Sequence, residues 1–200
     1  MTIERGRPWG QPARWDEGAP FAGDDASLAS LVEEGRTDVP IALLGGDLHR
    51  TLGSPAPERL RSDAAMAFPI DALEVHLDDE PPFVAVAHVV ARAGAWWRRP
   101  TVVAMNAAFH GDLNLGPRAH PNDGLVDVTV GRLPLREAVA ARPRMLSGSH
   151  LPHPALDTTR AQHWEVELRR PTPIFADGVR RGHARRITID VLADHFRIVC

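Results

Sequence analysis

From Ala64 to Cys200 the apolar residues of this chain recur mainly at every second position, in short runs separated by turn residues. Period two places one set of side chains on one face of a strand, so a succession of such runs commits the chain to packed β-layers. Leu73, Val75 and Leu77 alternate with Glu74 and His76, and the Asp-Asp-Glu-Pro-Pro cluster after Leu77 breaks the run before Phe83 starts another. Residues 101–109 and Leu125 to Val130 read as further strands. Residues 163–169, 172–176, 185–191 and 195–200 read as four more, with Asp177-Gly178 and Ala193-Asp194 as tight turns. About eight strands in runs, with about three short helices, favour an α+β, predominantly β fold: a two-layer antiparallel β-sandwich.

Helical signals are few. Asp24 or Asp25 caps a helix with Leu28, Leu31 and Val32 on one face, and Gly35 stands where such a helix ends. Val39 to Leu44 reads as a buried strand entering Gly45-Gly46, and Asp47 as the cap of a brief helix that stops at Gly53. Pro134 opens a third helix, striped by Leu135, Ala138 and Val139. Residues 1–38 read as an irregular lead-in plus one helix, and 39–200 as the sandwich domain.

Composition closes several routes. All 23 basic residues are arginine, so no lysine can form a Schiff base or complete a P-loop. The single cysteine, Cys200, excludes an internal disulfide framework. A net charge of −3 argues against nucleic acid as a bulk electrostatic partner. No run approaches the about 18 apolar residues of a membrane span. The chain therefore reads as cytoplasmic.

Four constellations carry chemistry, each with a plainer reading beside it. Gly45-Gly46-Asp47 suits backbone approach to an anion, or a turn capped by aspartate. His150 and His153, with His120, have metal-ligand types, or serve as hydrogen-bonding residues. Asn122-Asp123-Gly124 with Asp127, and Asp177-Gly178, are hairpin turns, or loops offering oxygen ligands to Mg2+ at the Asp123 loop. The pairs Arg169-Arg170, Arg180-Arg181 and Arg185-Arg186 are solvated strand edges, or an anion-binding face around Asp177. Ser147 and Ser149 near His150 lack a nucleophile elbow, which argues against a serine hydrolase.

The order of motifs is more specific than any one of them. LLGGDLHRTLGSP (43–55), MNAAFHGDLNLGPRAHPNDGLVDV (105–128), SGSHLPHP (147–154) and TPIFADGVRRG (172–182) follow one another as in a known family. From Pro40 to Cys200 the chain resembles the C-terminal domain of the diacylglycerol and sphingosine lipid kinase family, which shares its architecture with NAD kinases. The resemblance is carried by Asp47, Arg50, Leu52 and Gly53, then by Asn106, Asp123, Gly124 and Asp127, and finally by Asp177-Gly178.

The resemblance implies a β-sandwich that helps form a lipid pocket; Asp47, Arg50, Asn106, Asp123 and Asp177 are the ligand-binding candidates, and Asp123 and Asp127 remain the metal candidates offered by the loop carboxylates. It also exposes departures. The family's Gly-Gly-Asp-Gly-Thr nucleotide loop does not occur, and the residues before 40 read as too little for a nucleotide domain. Val179 stands where a glutamate follows Asp-Gly, and Gly46 replaces the asparagine before Asp47. Phosphoryl transfer needs a phosphate cradle and a positioned base. The expectation is a kinase-like domain that binds a lipid-like or phosphorylated ligand, or a partner, without catalysis of its own and with no assigned cofactor. Its rivals are the acceptor half of a split lipid kinase, and an interaction module or homo-oligomer using the Trp-bearing lead-in and Trp96-Trp97.

Overall fold

The structure, a computed structural model, describes residues 9–16, 18–94 and 101–200; Trp96-Trp97 and Arg98-Arg99 lie outside them. Strands β1 (Gln11–Pro12) and β2 (Phe21–Ala22) precede helix α1 (Asp25–Glu33), strand β3 (Ile41–Leu43) and helix α2 (Gly46–Thr51). Strands β4 (Met66–Leu77), β5 (Phe83–Ala85), β6 (His88–Ala91), β7 (Thr101–Met105), β8 (Phe109–His110), β9 (Leu113–Asn114) and β10 (Val126–Gly131) follow. Helix α3 (Leu135–Leu146) leads to β11 (Leu156–Ala161), β12 (His163–Ala176) and β13 (Val179–Val199). With 45% strand and 17% helix, the molecule is predominantly β.

Eight strands run antiparallel in the order β1-β4-β13-β12-β6-β7-β10-β11, with β5 on β4. Strands β4 and β7 stand four steps apart along this path, about 19 Å in a flat sheet at about 4.8 Å per step. Yet Leu73 and Val75 of β4 share one buried cluster with Val102 and Ala104 of β7 and with Val126 and Val128 of β10. Only a sheet folded over on itself brings them together, which makes the two layers. The bending sits in the long strands: register shifts fall between Glu167 and Thr172, and between Ile174 and Phe175, in β12, and between Leu192 and Phe196 in β13.

Those bends correct the sequence reading. The four late strands are two continuous ones, and Ala193-Asp194 is an irregularity within β13, not a turn. Asp194 has φ 50, and its backbone N–H donates to the Asp71 carboxylate at 2.8 Å. Strand β11, read as part of a loop, has four exposed residues among six and shows no apolar alternation by which to find it.

The lead-in is more ordered than its composition suggests. Strand β2, α1 and β3 form a parallel crossover, and β3 pairs with both β2 and β13, so the sheet continues across residue 38. Asp24 caps α1 reciprocally with Ser27. Leu28, Ala29 and Val32 are buried against Ile41, Leu43, Ile70, Phe196 and Ile198. Trp9 stacks near Phe68 and His120 and donates to the carbonyl of Pro69 at 3.2 Å. Among the described residues no helix is long and apolar enough to cross a membrane.

Candidate functional site

Helix α2 begins at a crowded strand-to-helix step. Gly46 has φ +95, and a Cβ there would lie 2.5 Å from Oδ1 of Asp25; a Cβ on Gly45 would collide with the carbonyl of Gly23. Glycine is needed at both positions because Asp25 fills the space. Its carboxylate accepts the backbone N–H groups of Asp47 and of Leu48, the latter at 3.1 Å. The expected cap Asp47 is therefore not the cap: Gly45 is, and Asp25 satisfies the first-turn donors from outside the helix. Asp25 itself lies in the first turn of α1, so its carboxylate ties the start of α1 to the first-turn donors of α2. Burial, with Asp177 adding to it, pushes Asp25 up to about 7 despite those two donors.

Released from capping, the Asp47 side chain turns into a cleft of about 410 Å3. Its Oδ2 lies 2.9 Å from Nε2 of His88, and its Oδ1 accepts the backbone N–H of Gly111 at 2.8 Å. The same Nε2 of His88 lies 3.0 Å from Nδ1 of His110, and the two rings stand perpendicular with centroids 4.4 Å apart. Burial would raise Asp47, but the bonds from His88 and Gly111 outweigh it and hold the carboxyl below its ordinary range. Burial would lower His88, which is 2% exposed, yet Asp47, Asp177 and Asp25 together raise it. His110 is pushed down to about 4 by burial and by the charge on His88.

Asp177 closes the cleft from the β12–β13 hairpin. It has φ 49 and Gly178 φ 79, the two positive angles that an Asp-Gly turn supplies. Its carboxylate turns inward and accepts the backbone N–H groups of Val86, Ala87 and His88 at 2.8, 2.9 and 3.0 Å. Burial raises its pKa. Val179 lines the same cleft, so the position expected to hold glutamate is apolar, but Asp24, Asp25, Asp47 and Asp177 surround it. Carboxylates are not scarce there; donors free to grip a phosphate are.

The other candidates lie elsewhere. Arg50 reaches out to the carbonyl of Gly111 at 2.8 Å and to Asp112, with Phe109 beneath its guanidinium. Asn106 is fully buried, and its amide donates to the carbonyls of Asp71 and Val86, tying β4 to the β5–β6 connection. Asp123 and Asp127 do not line the cleft; the Arg160 guanidinium bridges both carboxylates and supplies their positive charge. His120 stacks on Trp9 and His153 faces Glu137, so these two do not join His150 in a triad. Three of the hairpin arginines have carboxylate partners, Arg181 with Glu33, Arg185 with Glu167 and Arg186 with Asp79, and Arg180 contacts His183. Ser147 and Ser149 hydrogen-bond to each other at 2.9 Å.

A second cavity, of about 190 Å3, lies between α3 and the outer face of β7 and β10. Val103, Leu115, Leu133, Ala138 and Met145 line it, with Thr101, Thr129, Arg142 and His150 as its polar members. Helix α3 sits loosely on this face: only Ala141 is buried, while Leu135, Val139 and Leu146 are more than half exposed. Pro143 inside the helix removes one backbone donor. Of these cavity residues only His150 was singled out for chemistry from the sequence, and as a metal-ligand type. The stripe of Leu135, Ala138 and Val139 was the available signal, and it read equally well as a core-facing helix.

Comparison with known proteins agrees with this architecture. The family model for the YegS C-terminal NAD kinase beta sandwich-like domain matches residues 64–200. A structure assigned as a diacylglycerol kinase from Bacillus anthracis str. Sterne superposes with a TM-score of 0.65 at 14% identity, over 89% of this chain and 76% of its own. A diacylglycerol kinase structure from the same organism gives 0.58 at 14% identity, over 89% and 74%. At that identity the likeness is one of fold, and its extent places part of it before residue 64. No curated protein matches the chain significantly.

Proposed function

This chain belongs to the family of YegS C-terminal NAD kinase beta sandwich-like domains, and from that premise we propose that it is a diacylglycerol kinase-like domain that holds a lipid-like molecule beneath α3 and does not transfer phosphate by itself. The observation that carries the first half is the 190 Å3 cavity, whose walls are mostly aliphatic, with Thr101, Thr129, Arg142 and His150 as the polar members. Apolar walls with a few convergent polar groups are what an amphiphile with one alkyl chain requires. The guanidinium of Arg142 suits a hydroxylated or anionic head group. The exposed Leu135, Val139 and Leu146 give the helix beside it an apolar surface from which such a molecule can enter.

The second half rests on Asp25. Nucleotide phosphates are held by backbone N–H groups at helix N-termini. Here those of Asp47 and Leu48 already serve a protein carboxylate, and Asp24 occupies the N-terminus of α1. A triphosphate would face four carboxylates and no guanidinium among the described residues lining the cleft. The residues present do not fit ATP.

Calorimetric titration with a short-chain monoacylglycerol, one alkyl chain on a hydroxylated head, tests the reading. Binding that Ala138→Phe abolishes supports it; no binding, or binding indifferent to that substitution, refutes it. A second reading, the acceptor half of a split lipid kinase, is favoured by the shared cleft of Asp47 and Asp177. It requires copurification with a separate nucleotide-binding protein and turnover only in its presence.

A further inference from the structure

We infer that Asp47, His88 and His110 form a binding site for a divalent first-row transition ion, with Zn2+ as its reference occupant. The inference goes beyond the lipid-binding reading and stands whether or not the cavity beneath α3 is filled. Three elements distant in sequence contribute one donor each: α2 supplies Asp47, the start of β6 His88, and the end of β8 His110. Among the described residues this is the one trio of such side chains whose ligand atoms gather within 4.8 Å of one another.

The distances resemble a coordination shell. Asp47 Oδ2 and His88 Nε2 are 2.9 Å apart, His88 Nε2 and His110 Nδ1 3.0 Å, and His110 Nδ1 and Asp47 Oδ2 3.9 Å. Metal bonds of about 2.0–2.1 Å place neighbouring donors about 3.0 Å apart in an octahedral shell and about 3.4 Å apart in a tetrahedral one. All three separations lie within an ångström of those values, so an ion enters with small rotations of the half-exposed His110.

A proton relay explains the trio less well. A relay through an imidazole uses one nitrogen toward the carboxylate and the other toward the next group. Here both contacts of His88 fall on Nε2, while its Nδ1 is buried without a partner. One N–H at Nε2 cannot serve two acceptors fully, whereas one cation satisfies three lone pairs at once. The carboxylate is also held for that purpose, since the Gly111 N–H fixes Oδ1 and leaves Oδ2 aimed at the two rings.

The donor set chooses the class of ion. Two imidazoles and a carboxylate suit Zn2+, Fe2+ or Co2+, whereas Mg2+ prefers oxygen donors. With three protein ligands the remaining positions face the open cleft, where water or a small anion can complete the shell. Asp24, Asp25 and Asp177 line that cleft too, and a cation there would favour their ionised forms.

The test uses the full chain, stripped with chelator and titrated calorimetrically with ZnCl2 and separately with MgCl2. The expected result is a single Zn2+ equivalent, bound at least about 100-fold more tightly than Mg2+. His110→Ala should weaken Zn2+ at least about tenfold, and His163→Ala, at an exposed histidine paired with Asp190, should leave it unchanged. Co2+ added to the unsubstituted protein should give a visible absorption band that Zn2+ displaces, a readout independent of whether any variant folds. No uptake, equal affinity for Mg2+, or Zn2+ binding indifferent to His110→Ala would overturn the assignment.

Discussion

A cavity of known volume under a helix makes a quantitative demand on its ligand. At about 30 Å3 for a water-sized group, 190 Å3 holds about six methylenes. Each buried methylene contributes about 0.8 kcal/mol, which is about a fourfold gain in affinity. In a series of straight-chain 1-alkanols, affinity should therefore climb about fourfold per carbon until about six carbons are enclosed. That is about 5 kcal/mol in all, set against the cost of immobilising the ligand. Beyond that length the chain emerges beside Val139, which is 65% exposed, and the increment per carbon should collapse. Isothermal titration across butanol to dodecanol reads the slope and its break directly. Ala138→Phe places a ring in the enclosed volume and should flatten the series from its start without lowering the melting temperature. A constant slope through dodecanol, or a break that Ala138→Phe leaves in place, would refute the assignment of this cavity as the enclosed ligand site.

Three further outcomes follow from the packing around the cleft. Gly46→Ala should cost about 3 kcal/mol, or about 6–12 °C in melting temperature, because positive φ and the Asp25 carboxylate both oppose a Cβ. Gly53→Ala, with φ +90 but nothing within 4 Å, should cost about 1–2 kcal/mol; equal losses in differential scanning calorimetry would remove Asp25 from the argument. Asp177→Ala leaves three backbone donors without their acceptor and should destabilise by about 3–5 kcal/mol in urea unfolding; a loss under 1 kcal/mol would show that those bonds are replaceable. His150 has its pKa lowered by burial and by His153. The unfolded chain then binds more protons than the folded one as pH falls below the unfolded value of 6.5, so this residue's contribution to stability declines on acidification. The melting-temperature gap between the parent and His150→Asn should narrow from pH 7 to pH 5, and a constant gap would contradict the burial argument.

How far the sequence revealed this molecule depends on what each signal measures. Alternation exposed β4 and the late strands, whose alternate residues differ in burial, while β7 and β10 showed as short apolar runs because β7 is buried throughout and β10 over its first half. It said nothing of β11, whose residues are mostly exposed, and it split β12 and β13 at Pro171-Thr172 and Ala193-Asp194, where bends interrupt the period without ending the strand. Asp24 and Gly35 located α1 because caps act locally. The parallel pairing of β2 with β3 is a two-residue contact and leaves no pattern. At the cleft, Asp47 and Asp177 were legible through motif order. Asp25 was read only as a possible cap, and His88 and His110 were not singled out, because their meaning depends on tertiary convergence. The cavity beneath α3 was invisible for a related reason: a helix stripe cannot tell a filled interface from a hollow one.

The central claim is that Asp25 occupies the place of a phosphate, and the direct measurement is phosphoryl transfer itself. The purified chain is incubated with radiolabelled ATP, Mg2+ and vesicles containing diacylglycerol, and the lipid fraction is counted. The account predicts label no higher than in a protein-free control; time-dependent formation of labelled lipid by this chain alone would contradict it.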